Sequence, residues 1–281
     1  MSWQAVAKKD FQDAIRSRMF WALSIIFGLL AVGVGGAYGY FDVFKNAGAT
    51  NQGVALVWFV SIPVSLFVTL TAVIISHKAI VGERESGSIK ILLALPHSRL
   101  DVVLGKIVGR TGVLAVPTVV SLVLGVIVGS ALIGSFAIVP LIALLCMMVV
   151  LIVAYVSLMI GMSAFTNSTS LATAGAVGYF IVFELLWSGI GQVILMVMGK
   201  NPIRPPDWYY LYTNLSLGNA FNTVLGQIIQ WLADTSGTGI QTGLSYGNAF
   251  YVTPWVAVVS ILLWLIVPAA IGYKRFSNTD L

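Results

Sequence analysis

The sequence predicts an all-α, polytopic membrane protein with six transmembrane helices, and three observations predict it. Hydrophobic residues make up 58% of the 281 residues and charged residues only 9%, against roughly 25% charged in soluble domains. Six apolar runs reach the roughly 20 residues that cross a bilayer as a helix, and they are continuous rather than alternating in the short pattern of a β-barrel. Lys and Arg gather beside alternate ends of these runs, as the positive-inside rule demands.

In chain order, the N-terminal segment comes first. Trp3, Val6, Ala7, Phe11, Ala14 and Ile15 recur at helical spacing, and Lys8, Lys9, Gln12, Asp13 and Arg16 fill the opposite face. Such a helix lies in the headgroup plane and bends into the first span. The start of the chain is long and polar and the first apolar run is span-length, so that run is expected to act as its own insertion signal.

The spans fall at about 19–41, 54–76, 107–133, 137–162, 171–198 and 251–273, and the whole of 1–281 reads as one transmembrane domain. The pairs Gly35/Gly39 and Gly125/Gly129 have the small-xxx-small spacing that allows close helix contact. Pro63 and Pro117 are expected to kink the second and third spans near their middles and so help to build a cavity.

Orientation follows from the basic residues. Lys8, Lys9, Arg16, Arg18, Lys78, Arg84, Lys90, Arg99, Lys106, Arg110, Lys274 and Arg275 fall on one side, whereas Lys45, Lys200 and Arg204 fall on the other, a ratio of 12 to 3. This places both termini and the segment 77–106 in the cytoplasm, with the protein in the cell membrane. The same asymmetry explains the net charge of +5, so no nucleic-acid partner is implied; the partner that composition demands is the lipid bilayer.

The outer segment, about 199–250, opens on Pro202, Pro205 and Pro206, which forbid a continuing helix. Trp208, Tyr209, Tyr210 and Tyr212 suit the membrane–water boundary. Leu217, Phe221, Val224, Leu225, Ile228 and Leu232 then form an apolar stripe opposed by Asn219, Asn222, Gln227 and Gln230. The expectation is an amphipathic helix lying on, or dipping into, the outer leaflet. Asn214-Leu215-Ser216 forms a glycosylation sequon on this side.

Enzyme signatures are absent. There is no phosphate-cradling G-x-x-x-x-G-K-[ST] loop and no H-E-x-x-H, so neither catalytic nor cofactor-binding residues are assigned. His77 and His97 have no adjacent second ligand, and no metal site is read from them. Cys146, alone in an apolar run, is expected to be a small buried hydrophobe. Met147, Met148, Met159 and Met162 read as packing or lipid-facing residues rather than a soft-metal path. Glu184 is the one ionisable residue deep in a span. Two readings of it stay open: a polar contact facing a translocation path, or a protonated, hydrogen-bonded contact between helices. A lone intramembrane carboxylate argues against the alternative of a stand-alone secondary transporter or channel, which would need paired ionisable groups.

The segment 77–106 carries the most specific pattern. Ile80, Val81, Ile89, Leu92 and Leu93 give an interrupted apolar face, while Glu83, Arg84, Glu85, Lys90 and Arg99 are expected to be exposed. Gly82 and Gly87 interrupt the helix, and Pro96 forces a turn before the third span. A short, charged helix in this place is suited to transmit a push into the membrane.

The run Glu83-Arg84-Glu85-Ser86-Gly87-Ser88-Ile89-Lys90, followed by Leu92-Leu93-Ala94-Leu95-Pro96, Ser98-Arg99 and Leu104-Gly105-Lys106, resembles the cytoplasmic signature of ABC-2 type transporter permeases, in particular the NosY-like subgroup. His97 departs from the small apolar residue usual there. The resemblance extends over the whole layout of spans. It implies a membrane subunit of an ABC transporter, most often an exporter, in which two permease copies pair and two separate ATPase subunits bring ATP and Mg. It further implies that the helix near Glu83–Leu93 is a coupling helix docking on the ATPase, with Glu83, Arg84, Glu85, Gly87, Lys90 and Arg99 at the docking site. Residues 3–16 would be its elbow helix, and 203–232 its re-entrant or interfacial helices. The missing phosphate loop agrees with a motor on another polypeptide.

Overall fold

The computed structural model describes residues 3–41, 51–89, 98–202, 205–235 and 252–278, and none of these residues is in a strand. The chain opens with α1 (Trp3–Ile15), then α2 (Arg18–Tyr40), α3 (Gln52–Ser76) and the single-turn α4 (Val81–Glu85). Next come α5 (Arg99–Ile133) and α6 (Ile138–Phe165). A fifth long helix is built as α7 (Thr169–Tyr179), a π-helical turn at Phe180–Leu186, and α8 (Trp187–Val197). Helices α9 (Asp207–Asn214) and α10 (Leu217–Thr235) precede α11 (Pro254–Ser277). Among the described residues six helices are long and apolar enough to cross a membrane: α2, α3 with its continuation through α4, α5, α6, α7–α8 and α11.

Local chemistry sets the helix starts. Ser17 and Asn51 cap α2 and α3 by accepting the backbone N–H groups of Phe20 and Val54. Helix α5 begins at Arg99, well before the 107 expected for the third span, because Ser98 and Asp101 form a reciprocal capping box. Gly134, at φ 68°, closes the far end of α5 in the left-handed conformation.

Helix α6 is the centre of the bundle. Its Leu144, Met148, Tyr155 and Met159 are fully buried, and it packs against α3, α5, α10 and α11. Cys146 departs from expectation: it is exposed, because it lies off the Leu141/Leu144/Met148 stripe that faces the core. Met148 and Met159 do pack in the core.

The most extensive helix pair is α2 with α5, and it crosses where the two glycine pairs meet. A Cβ on Gly35 would collide with the carbonyl of Gly125, and one on Gly129 would lie 2.8 Å from the carbonyl oxygen of Gly35. Only backbone without side chains fits there. Helices α6 and α11 make a second such crossing at Gly161, Pro268 and Gly272. Pro63 lies inside α3 and lines a groove of about 300 Å³ beside Gly33, Ala37 and Phe59 of α2 and α3.

The ends of the bundle are distinct. Helix α1 packs on the start of α5, and the end of α11 meets the same start through Arg99. The first and last described helices, α1 and α11, therefore meet at the same, basic end of the bundle. Helices α9 and α10 pack at the opposite end.

Candidate functional site

Helix α4 is held at the basic end by contacts to three other helices, α5, α6 and α7. The backbone N–H groups of Ile80 (3.0 Å) and Val81 (3.1 Å) both donate to the Oγ of Ser163, a fully buried residue near the end of α6. This satisfies donors that every helix start leaves open. Gly87, at φ 75°, then turns the chain in a conformation that side chains resist.

The three consecutive charges of α4 diverge to different partners. Lys106 Nζ of α5 donates to Glu83 Oε1 at 2.7 Å and lies 3.8 Å from Asp10 Oδ1 of α1. Asp10 Oδ2 in turn pairs with Arg110 Nε at 2.8 Å. Lys106 is 3% exposed, so this is a partly buried charge chain from α4 through α5 to α1. Arg84 donates to the carbonyl of Thr166 and to Asn167 Oδ1, each at 3.1 Å, gripping the end of α6. Burial, and then the nearby guanidiniums of Arg275 and Arg99, hold the Arg84 pKa below the usual guanidinium value.

Glu85 accepts from the backbone N–H of Thr169 (2.7 Å) and from its hydroxyl (2.9 Å). It thus caps α7 from outside that helix, where the helix dipole favours an anion. Those two hydrogen bonds hold its carboxyl below the usual carboxylate range.

Of the remaining predicted residues, Arg99 donates to the carbonyls of Phe276 and Ser277 and stacks over the Phe276 ring, so it caps the end of α11. Lys90, with Leu92, Leu93, Pro96 and His97, lies outside the described residues. Glu83, Arg84 and Arg99 are therefore engaged within the chain rather than free on its surface. The exposed positions of the turn are Glu85, Ser86 and Ser88. Sequence reasoning missed Lys106, Asp10, Ser163 and Thr169 as partners. Ser168-Thr169, between the fourth and fifth spans, is a readable helix-start signal for one of them.

Glu184 sits apart, on the π-helical turn. Its carboxylate accepts from the hydroxyl of buried Tyr155 and from the backbone N–H of Gly218, near the start of α10. Ser216 Oγ accepts the N–H of Asn219 (3.5 Å) and donates to the Phe183 carbonyl (3.1 Å), which the π turn leaves available. Helix α10 thus begins halfway along the fifth span and has its first donors satisfied there, as backbone at membrane depth must. It packs Leu217, Phe221, Leu225 and Ile229 against the bundle, reaching α3, α6 and α11. The apolar stripe expected to face the outer leaflet is thus packed on the bundle itself.

Helix α9 is riveted to the same span. Trp187 and Tyr212 stack at 4.5 Å and 7°, Trp187 Nε1 donates to the Tyr212 carbonyl (3.0 Å), and Tyr212 Oη donates to the Trp187 carbonyl (2.8 Å). Asn214 of the sequon is buried, with its amide nitrogen donating to the Tyr210 carbonyl at 2.8 Å, a position closed to a glycan. Among the described residues no group of three His, Cys, Asp or Glu side chains could hold a metal.

A bundle of six membrane-length helices, with a charge-bearing turn at one end and two shorter packed helices toward the other, is the layout of a multi-pass membrane protein. Residues 4–281 match the family described as ABC-2 family transporter protein, and the chain belongs to that family. It is 27% identical to a probable ABC transporter permease protein NosY of Stutzerimonas stutzeri, covering 96% of both chains. It is 26% identical to the protein of the same description in Pseudomonas aeruginosa, over 71% of this chain and 73% of that one. The chain is thus a multi-pass ABC-2 permease, the transmembrane subunit of an ABC transporter.

Proposed function

We propose that this permease works as the membrane half of an ABC exporter of the cell membrane, paired with a second permease chain and driven by separate ATPase subunits. The basic end, with both termini, faces the cytoplasm, and the ATPase docks on the segment 77–106. ATP and Mg bind to the ATPase, and this chain supplies no catalytic group.

One observation carries the reading. Val81, Glu83, Arg84 and Glu85 of α4 are bonded to α5, α6 and α7 at once, and through Lys106 to α1, so a displacement of this turn is passed to three of the six spans. In this arrangement Glu83, Arg84 and Glu85 grip the bundle and leave the exposed edge of Ser86 and Ser88, with the neighbouring Lys90, to meet the ATPase. Gly87 permits the turn that presents this edge. Arg99 ties the start of α5 to the end of α11, adding a fourth span to the linkage.

Co-expression with the ATPase tests it. Placing Arg at Ser88 is expected to abolish co-purification, whereas the same change at Pro205, at the other end of the bundle, leaves it intact. Equal recovery of the ATPase with both variants would refute docking at α4. ATP-driven flux out of the cytoplasmic compartment, measured in inside-out vesicles, tests the direction.

A further inference from the structure

Helix α1 runs beside the start of α5, and three glycines let it come close. A Cβ on Gly105 would lie 2.6 Å from Val6 Cβ, one on Gly109 would lie 3.0 Å from the Ala7 carbonyl oxygen, and one on Gly112 would lie 3.2 Å from the Phe11 ring. The two helices therefore advance in step, α1 from Val6 to Phe11 as α5 goes from Gly105 to Gly112. Asp10, on the same face of α1, pairs with Arg110 of α5 at 2.8 Å. This face of α1 is thus taken up by protein and not by acyl chains.

The face left outward is basic. Lys8, Lys9, Gln12 and Arg16 are exposed, and exposed Arg18 follows at the start of α2. Among the described residues the side chains of Lys8, Lys9, Arg16 and Arg18 make no hydrogen bond or ion pair, and Asp13 is the one acid exposed beside them. Their depth follows from α2. A Cβ on Gly39 would lie 2.6 Å from Leu132 Cβ, so α2 and α5 end together. Counted back from there at about 1.5 Å per residue, Arg18 stands about 32 Å away, close to one hydrocarbon thickness. The same count brings Arg18 level with about Thr111 of α5, beside the glycines that hold the middle of α1. Lys8, Lys9, Arg16 and Arg18 thus share one depth, at the edge of the hydrocarbon on the basic side. Trp21, 60% exposed, marks the same boundary.

We infer that the outward face of α1 is a binding surface for the headgroups of anionic phospholipids in the leaflet at the basic end. Lys8 and Lys9 make the central contact, and Arg16 and Arg18 flank it. Basic clusters on a helix at this depth attract anionic headgroups, and ammonium and guanidinium groups form charge-assisted hydrogen bonds to phosphate oxygens. The depth favours lipid over a soluble partner, which approaches from beyond the headgroups. The surface lies on the side of α1 away from Asp10, and the inference does not depend on where the ATPase docks.

Native mass spectrometry of the full-length permease released from nanodiscs tests the surface. The nanodiscs contain equal amounts of phosphatidylglycerol and phosphatidylethanolamine. Wild type is expected to retain phosphatidylglycerol roughly tenfold over phosphatidylethanolamine. The double variant Lys8→Gln/Lys9→Gln changes only exposed side chains and should lower that preference roughly fivefold. Adding Gln12→Lys to it returns one charge to the same face and should recover part of the preference. Lys200→Gln, at the other end of the bundle, should change nothing. Equal retention of the two lipids by wild type, an unchanged preference in the double variant, or no recovery with Gln12→Lys overturns the proposal. So does release of the lipid by inorganic phosphate alone. Loss of ATPase co-purification in the double variant with its lipid preference intact also overturns it, and assigns the face to the ATPase.

Discussion

At the scale of single residues, two charged side chains illustrate how burial decides a role. Glu184 faces a phenol and a backbone N–H, and no Lys or Arg is among its described partners. Its chemistry there is acceptance of hydrogen bonds from two helices. Glu184→Gln keeps an acceptor oxygen and is expected to retain thermal stability in detergent. Glu184→Leu leaves the Tyr155 hydroxyl and the Gly218 N–H without an acceptor and should cost about 1–3 kcal/mol. Equal melting of the two variants would show that the carboxylate does not hold α10. Lys106 is the second case. Lys106→Met strands Glu83 and leaves Asp10 to Arg110 alone; because Glu83 is one-third exposed, water recovers part of the loss, and about 1–3 kcal/mol is expected in denaturant unfolding.

Glu85 gives a pH dependence with a defined sign. Its folded pKa is lowered, so the contact with Thr169 contributes in full above the usual carboxylate value and is lost as pH falls through the lowered one. The difference in melting temperature between wild type and Glu85→Gln should therefore be present at pH 7 and vanish on strong acidification. A difference that grows on acidification would contradict the capping role. The sequence marked Glu83, Arg84 and Glu85 as special by their run, but not by their partners. Asp10, Lys106, Ser163 and Thr169 lie on other helices, and no local spacing records which helix end an arginine will reach.

At the scale of elements, the spans were legible because continuous apolar length has one stable solution in a bilayer. The glycine pairs of α2 and α5 were legible as contact motifs, and they meet each other. Gly125→Leu must push the two backbones apart and is expected to cost about 1–3 kcal/mol or more in detergent melting experiments. Gly33→Leu, with nothing near its Cβ, should be close to neutral. What composition did not reveal was the π turn at Phe180–Leu186, since its residues differ little from those of an ordinary span. The turn's consequence, the start of α10 against the fifth span, depends on Ser216 and Gly218 meeting carbonyl and carboxylate groups more than thirty residues earlier. An amphipathic stripe states that one face is buried, and not whether lipid or protein covers it. Cys146 was misplaced for a related reason: in a span apolar on all sides, sequence does not mark the inner face.

At the scale of the whole molecule, the two ends of the bundle are joined by α6 and by α7–α8. Helix α6 carries Ser163 under α4 at the basic end and Tyr155 against Glu184 at mid-span. Helix α7 is capped by Glu85 of α4, and the π turn and α8 that continue it carry the rivets to α9 and α10. A movement imposed on α4 has a continuous packed route to α9 and α10.

The most direct test of that route is a spin-label distance between α9, at Asp207, and α11, at Trp255, in the permease assembled with its ATPase. Wild type is expected to show a nucleotide-dependent change in this distance. The double variant Arg84→Gln/Glu85→Gln should still bind the ATPase through the rest of the 77–106 segment yet show no such change. A nucleotide-dependent change of the same size in the double variant would contradict transmission through α4.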